Sequence, residues 1–311
     1  MVLIHGSDVA DLDNSVVGAG ATIVSTPLRD VAVAMACKGI ATIRYDKRFV
    51  SGPGTVDRDA FSKATLQDFL ADAAIALDTA KARSDLAGLP EMAFGWSEGT
   101  TVAAALAAQR STIRALVLQA PVITSFAAKL QGDFSRVGAP YMRRYASNGS
   151  VDAPAIARAL AGPAGVITRI YVNMFKGFSP SDTINALLDT NHDGRIDIEK
   201  EATPVIRSWF ADREGGGLSI YASAVALPGV KSQIPKTRAA ILVVQGDADG
   251  AIDADDARAL DAEHLPRVTV LLYRGLGHTL GPSASAIEDA FAPIAVRPLA
   301  AMVSWALAHA R

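Results

Sequence analysis

The sequence predicts an α/β chain, a mostly parallel sheet with helices on both faces, broken by a mostly helical insertion. Three observations predict it. Short β-rich runs alternate with helix-periodic segments at both ends of the chain. That rhythm lapses over roughly 123–236, where several helical patterns and turn clusters such as Ser147-Asn148-Gly149-Ser150 and Gly215-Gly216-Gly217 replace it. Finally, Gly95-Trp96-Ser97-Glu98-Gly99 stands where an apolar strand runs directly into an Ala-rich helix. The expected organisation is a core in two parts, 1–122 and 237–311, with 123–236 as a cap over the C-terminal ends of the strands, where open α/β sheets bind ligands.

Element by element, Val2–Ile4 reads as the first strand and Pro27–Lys38 as a helix, with proline at its start and Gly39 closing it. A second strand is expected at Ala41–Tyr45. Leu66, Phe69, Leu70, Ala73, Ala74 and Leu77 recur at three and four residues, the spacing of one buried helical face. Strand, helix and strand follow at Glu91–Gly95, Glu98–Gln109 and Ala115–Gln119. After the insertion come a strand at Ala240–Gln245, a helix capped by Asp253, a strand at Val268–Tyr273 and a closing helix at Pro298–Ala310.

With 30 Lys+Arg against 32 Asp+Glu over 311 residues, the net charge of -2 gives no field that gathers nucleic acid or anionic lipid. The apolar runs, such as Val102–Ala108, fall far short of a membrane span, so no transmembrane segment is expected. A single cysteine, Cys37, forbids an internal disulfide, and its Ala-rich helical setting predicts a buried, inert thiol. Met1-Val2-Leu3-Ile4-His5-Gly6 has no basic region, long apolar region or cleavage site, so no signal peptide is read in it. It opens inside an apolar strand, which predicts one or two leading strands upstream and leaves export open. The compartment and oligomeric state are not legible.

The chemistry starts at Ser97. Two glycines allow a strand to turn sharply into a helix, throwing the serine Oγ clear of the sheet, while the helix aims N–H groups at any oxyanion formed there. A serine nucleophile needs a base and the base needs a carboxylate, in the chain order Ser, acid, His. Of the five histidines, His278 follows the last strand in a glycine-flexed loop, Arg274-Gly275-Leu276-Gly277-His278, whereas His264 ends a helix, His309 lies in the final helix and His192 in the insertion. His278 is the expected base. Between Asp247 and Asp249, which both follow the preceding strand, Asp249 stands further out and is the expected acid, leaving Asp247 to hold the turn. The expected oxyanion donors are the N–H groups of Glu98 and Ser7, with Gly6 allowing close approach.

These residues resemble the α/β-hydrolase superfamily, in particular serine esterases with a His-Gly-Ser-Gly-Pro-x-Asp-Arg-Asp oxyanion strand, an Arg-Tyr-Asp-Lys-Arg-Gly strand end and a Gly-His-Ser-Glu-Gly elbow. Here these read His5-Gly6-Ser7-Asp8 with Asp11-Leu12-Asp13, Arg44-Tyr45-Asp46-Lys47-Arg48-Phe49, and Gly95-Trp96-Ser97-Glu98-Gly99, with departures at Asp8, Leu12, Phe49 and Trp96. The likeness covers about two thirds of the chain, on both sides of the insertion. It implies Ser97, Asp249 and His278 as a triad, Ser7 and Glu98 as oxyanion donors, an antiparallel strand pair ahead of the first strand, and cleavage of a small-molecule carboxylic ester through an acyl-enzyme. Thioester or acyl-peptide cleavage on the same triad is the alternative, as is a non-catalytic binding protein on this fold. A catalytic cofactor is not expected.

A second constellation, Asp189-Thr190-Asn191-His192-Asp193-Gly194-Arg195-Ile196-Asp197, resembles the calcium loop of EF-hands and dockerins. Asp189, Asn191, Asp193 and Asp197 offer side-chain oxygens and Arg195 its carbonyl, with Gly194 at the sharp turn. Lys200 stands where a bidentate acid belongs, flanked by Glu199 and Glu201. Ca2+ is expected here as a structural ion bracing the cap, on a lone loop and not a paired one; an ordinary Asp/Asn/Gly surface turn is the alternative.

Overall fold

The computed structural model describes residues 1–7, 9–18, 21–211 and 226–310. Nine strands are found among them: β1 Val2–Ile4, β2 Val16–Val17, β3 Ile23–Ser25, β4 Glu91–Trp96, β5 Ile113–Gln119, β6 Ser150–Asp152, β7 Arg195–Asp197, β8 Ala240–Gly246 and β9 Val268–Tyr273. Five of them form one parallel sheet in the order β1-β4-β5-β8-β9. Strands covered on both faces read as continuous apolar runs, which is why Leu116-Val117-Leu118 and Ile241-Leu242-Val243-Val244 are buried throughout.

Helices cover the sheet as the periodicity predicts. Pro27–Ala36 packs against Val296–His309, while Leu66–Lys81 packs against Gly99–Gln109. Thr65 starts the second of these with a capping box, its Oγ1 accepting from the Asp68 N–H and its own N–H donating to the Asp68 carboxylate. Gly99–Gln109 has almost no polar face. Its alanines are buried nearly all round, since only small side chains fit a helix wedged between sheet and neighbour.

The chain leaves the sheet after β5 and returns at β8, its direct neighbour, so everything between them is inserted at one seam. Much of that stretch has a core of its own, drawn from Phe134 to Phe210 and centred on Tyr141, Met142, Tyr171 and Phe175. The Gly215-Gly216-Gly217 cluster and Asp8 lie outside the described residues.

Two expectations need correction. Ala41–Tyr45 contributes a single parallel bridge, Val2 to Ile43, and not a strand: the adjoining β1 is three residues long, and the two segments are joined by the Leu3 N–H to Ile43, the Ile43 N–H to Met1 and the Met1 amino group to Ala41. Cys37 is exposed, since the helix ends at Ala36 and Cys37 caps it on the outward side, beyond Val33. The acidic loop is braced by a neighbouring strand. Its residues Arg195–Asp197 form β7, which pairs antiparallel with β6, itself preceded by a second tight turn at Asn148-Gly149 and followed by the helix Ala153–Ala161.

Candidate active site

Ser97 follows the last residue of β4 and has φ +54, a left-handed conformation that is strained for a residue with a Cβ. The strain is held by close packing. A Cβ on Gly95 would stand 2.4 Å from the Gly99 carbonyl oxygen, and one on Gly99 would stand 2.3 Å from that of His5, so the elbow closes on itself and presses against the end of β1. The Ser97 N–H donates to Gln119 at 2.9 Å, tying the turn to β5, and its carbonyl accepts from Thr100 at the same distance. The helix Gly99–Gln109 begins immediately beyond Glu98.

Asp249 and His278 meet directly. Nδ1 of His278 lies 3.0 Å from both carboxylate oxygens of Asp249, and both side chains are buried. Asp249 also accepts from the N–H groups of Ala251 and Ile252, at 2.7 and 2.8 Å, and from the side-chain amide of Gln245 at 2.9 Å. Burial pushes its carboxyl up, but the His278 imidazole and these donors outweigh that and leave its pKa below the ordinary value. Asp247 is exposed and accepts from the Gly275 N–H at 2.7 Å, so it ties its loop to the turn after β9 instead of holding its own turn as expected.

The imidazole is brought to the elbow by Trp96. Its indole N–H donates to the His278 carbonyl at 3.1 Å and its ring centroid lies 5.1 Å from that of His278. Phe291 closes the other side at 4.8 Å. Ser97 itself is only 3% exposed, so the site lies beneath cover.

Sequence reasoning missed three supports. Asp289 is buried and accepts from the N–H groups of His278, Gly250 and Phe291 at 2.7, 2.9 and 3.1 Å, pinning the acid loop and the histidine loop to one carboxylate. Burial first, and then the Asp249 charge, raise its pKa. Arg136, from the insertion, donates to the carbonyls of Asp249 and Gly250 at 2.6 and 2.8 Å, so the insertion touches the loop that carries Asp249. Gln245 is the third. None stands in a local pattern; the only available signal was the cluster of polar residues inside otherwise apolar surroundings.

The residues carrying the family resemblance build the loop beneath β1. Asp13 pairs with Arg44, Asp46 accepts from the Leu12 N–H at 2.8 Å, Asp11 accepts from Ser15 at 2.7 Å, and the Gly6 N–H donates to Asn14 at 2.8 Å. Ser7 follows at the surface, while Glu98 is buried and paired with Lys47.

In the acidic loop the side chains are turned onto backbone amides. Asp189 accepts from Asp193 and Gly194, Asn191 from Asp193, Asp193 from Arg195, and Asp197 from Glu199 and Lys200. A π-helical turn at Ile198–Ala202 adds one residue, so Glu201, and not Lys200, folds back over the loop, accepting from Thr190, Asn191 and Asp197. Among the described residues no three His, Cys, Asp or Glu side chains stand close enough together to hold a metal ion. No described helix is long and apolar enough to cross a membrane.

No family model matches the chain, and no curated protein matches it. Among solved structures it is similar to a monoacylglycerol lipase of Paleococcus ferrophilus, at 15% identity and a TM-score of 0.48 over 99% of this chain and 93% of that one. Est1E of Butyrivibrio proteoclasticus gives 16%, 0.46, 99% and 86%, and the thioesterase domain from the curacin biosynthetic pathway gives 15%, 0.43, 98% and 90%. Likenesses this distant carry nothing about the reaction. The chain's own parallel sheet, the serine elbow after β4, and an acid and a histidine following β8 and β9 give it the α/β-hydrolase fold.

Proposed function

We propose that the chain is a serine hydrolase that cleaves a small-molecule carboxylic ester through an acyl-enzyme. The observation that carries this reading is the buried Asp249–His278 pair, in direct hydrogen bond and packed through Trp96 against the strained Ser97 elbow. In the first half-reaction Ser97 Oγ attacks the acyl carbon, and its proton passes to Nε2 of His278. The imidazolium is stabilised by Asp249, which also fixes the tautomer. The carbonyl oxygen becomes an oxyanion facing the N–H groups of Ser7 and Glu98. The bond to the alcohol oxygen then breaks, and His278 returns the proton to that leaving group. Water repeats the sequence on the acyl-enzyme, giving its proton to His278, and release of the acid restores Ser97.

Replacing Ser97 by alanine tests the reading. Turnover of a short p-nitrophenyl ester should fall on the order of a million-fold while the protein stays folded. A pure variant that keeps more than about a few per cent of wild-type turnover would overturn it.

For the acidic loop we propose a structural Ca2+. Its donor chemistry is oxygen throughout, which suits a hard cation, and Asp189, Asn191, Asp193, Asp197 and the Arg195 carbonyl would hold it, with Glu201 closing the loop. The ion would draw carboxylates from the amides they now accept from and stiffen the cap. It takes no part in the ester chemistry.

A further inference from the structure

Behind the elbow lies a buried charge that the reaction above does not use. Lys47 and Glu98 form an ion pair at 2.9 Å with 3% and 1% of their side chains exposed. A buried pair of this kind is a weak source of stability, because desolvation offsets most of the attraction and apolar replacements are often as good. The surroundings give it another use. The Lys47 ammonium also donates to the Gly6 carbonyl oxygen at 2.6 Å. That oxygen and the Ser7 N–H belong to one planar, conjugated peptide unit. On its other side the ammonium meets Glu98, whose backbone carries the second proposed oxyanion donor. One side chain therefore grips the supports of both N–H groups.

The grip is rigid. The Lys47 N–H donates to Ala10 at 3.0 Å, its carbonyl accepts from Val50 at 3.0 Å, and its ammonium stands 4.5 Å over the Phe69 ring. Gly6 is held from its amide side as well, by Asn14 at 2.8 Å. The Gly6–Ser7 peptide is thus left little freedom to swing its N–H away from the elbow. A cation on a peptide oxygen also draws electron density from the nitrogen, which makes the N–H of the same unit a stronger donor.

We propose that Lys47 is a positioning residue of the oxyanion hole, aiming and polarising the Ser7 N–H through the Gly6 carbonyl while anchoring Glu98. The proposal rests on the serine-hydrolase reading. It predicts a transition-state effect: a donor that matters only when the carbonyl oxygen becomes an oxyanion changes turnover and leaves ground-state binding alone.

The test compares wild type with Lys47→Met and with Lys47→Met/Glu98→Gln, the double variant removing the charge that the single one leaves unpaired. In the double variant, kcat for a p-nitrophenyl ester should fall about 10- to 100-fold with KM within about twofold. Affinity for an alkyl boronic acid, whose adduct on Ser97 carries a tetrahedral oxyanion, should fall by the same factor as kcat. A merely structural role would not move kcat and boronate affinity together at unchanged KM. A folded double variant with kcat and boronate affinity within about twofold of wild type overturns the proposal. A check on the unaltered protein stands apart from any variant's stability: by NMR the Ser7 and Glu98 amide protons should shift downfield together when the boronate binds, and a Ser7 amide that stays put overturns it equally. Fluorophosphonate labelling separates the two levels of failure. Wild type left unlabelled at Ser97 removes the serine-hydrolase reading, whereas labelled wild type with an indifferent double variant removes the role of Lys47 alone.

Discussion

Acid should destabilise this protein through His5, buried just past the end of β1. His5 ends the run out of β1, is 1% exposed, meets Tyr45 edge-on at 4.8 Å, and leaves Nε2 without a partner. Burial first and the Lys47 charge second lower its pKa from 6.5 to about 3, with the Tyr45 backbone opposing. In the unfolded chain the group titrates near its ordinary value. Between the two values the unfolded state therefore binds more protons, so stability rises with pH there and is lost as pH falls. Taking the protein from pH 7.5 to 4.5 carries His5 about two units below its unfolded pKa, a loss on the order of 2–3 kcal/mol from this group alone. The perturbation is His5→Asn, which keeps a polar side chain but cannot titrate. Urea unfolding at the two pH values, followed by tryptophan fluorescence, should show wild type losing on the order of 2–3 kcal/mol more than the variant. Other carboxylates titrate in both proteins and cancel in the comparison. Parallel pH dependence in the two would refute the reasoning, since it would mean that His5 is protonated as readily in the fold as outside it.

Three further outcomes follow from the geometry. Asp249→Asn should lower turnover about ten-thousand-fold by leaving the imidazole in the wrong tautomer, whereas Asp247→Asn, which only loosens the Gly275 turn, should act through stability; kcat measured at equal foldedness distinguishes them. Asp289→Ala strips the acceptor from the amides of His278, Gly250 and Phe291, so denaturation should show a loss of about 3 kcal/mol or more, accompanied by reduced kcat. Calcium should raise the melting temperature of chelator-stripped protein, corresponding to about 2.7 kcal/mol at a hundredfold excess over the dissociation constant, and Glu201→Gln should blunt the response; a melting curve indifferent to the ion removes the structural Ca2+.

What was legible in the sequence was what local patterns encode. β4, β5, β8 and β9 are long apolar runs bounded by turn residues, and the elbow combines a motif with a strand before and a helix after, so both could be read without tertiary information. Asp249 was separable from Asp247 only by standing further out in the loop after β8; the local Ala251 and Ile252 amides it also accepts from, and the distant Gly275 amide that Asp247 holds, follow no local pattern. Elements set by distant partners were not legible. Ala41–Tyr45 has strand composition, yet its pairing is limited by how short β1 is. Cys37 is exposed because it continues the outward face of its helix one turn after exposed Val33, opposite Leu28, Val31 and Met35. Asp289 and Arg136 reach the acid loop from 39 and 113 residues away along the chain, and no spacing rule connects such positions. The loop facing β7 escaped because its chemistry is backbone pairing and not ligation. Lys47 was visible in a resemblance, but its grip on Gly6 and Glu98 exists only once β1 has been laid against the elbow.

The central claim is that Ser97 is an activated nucleophile. Its most direct measurement is covalent trapping: incubate the wild-type protein with a fluorophosphonate, digest it, and locate the adduct by mass spectrometry. The account predicts stoichiometric modification of Ser97, absent in Ser97→Ala and much slower in Asp249→Asn, with ester hydrolysis lost in step with labelling. An unmodified Ser97 in protein that still hydrolyses ester, or hydrolysis abolished by an adduct on another residue, would contradict it.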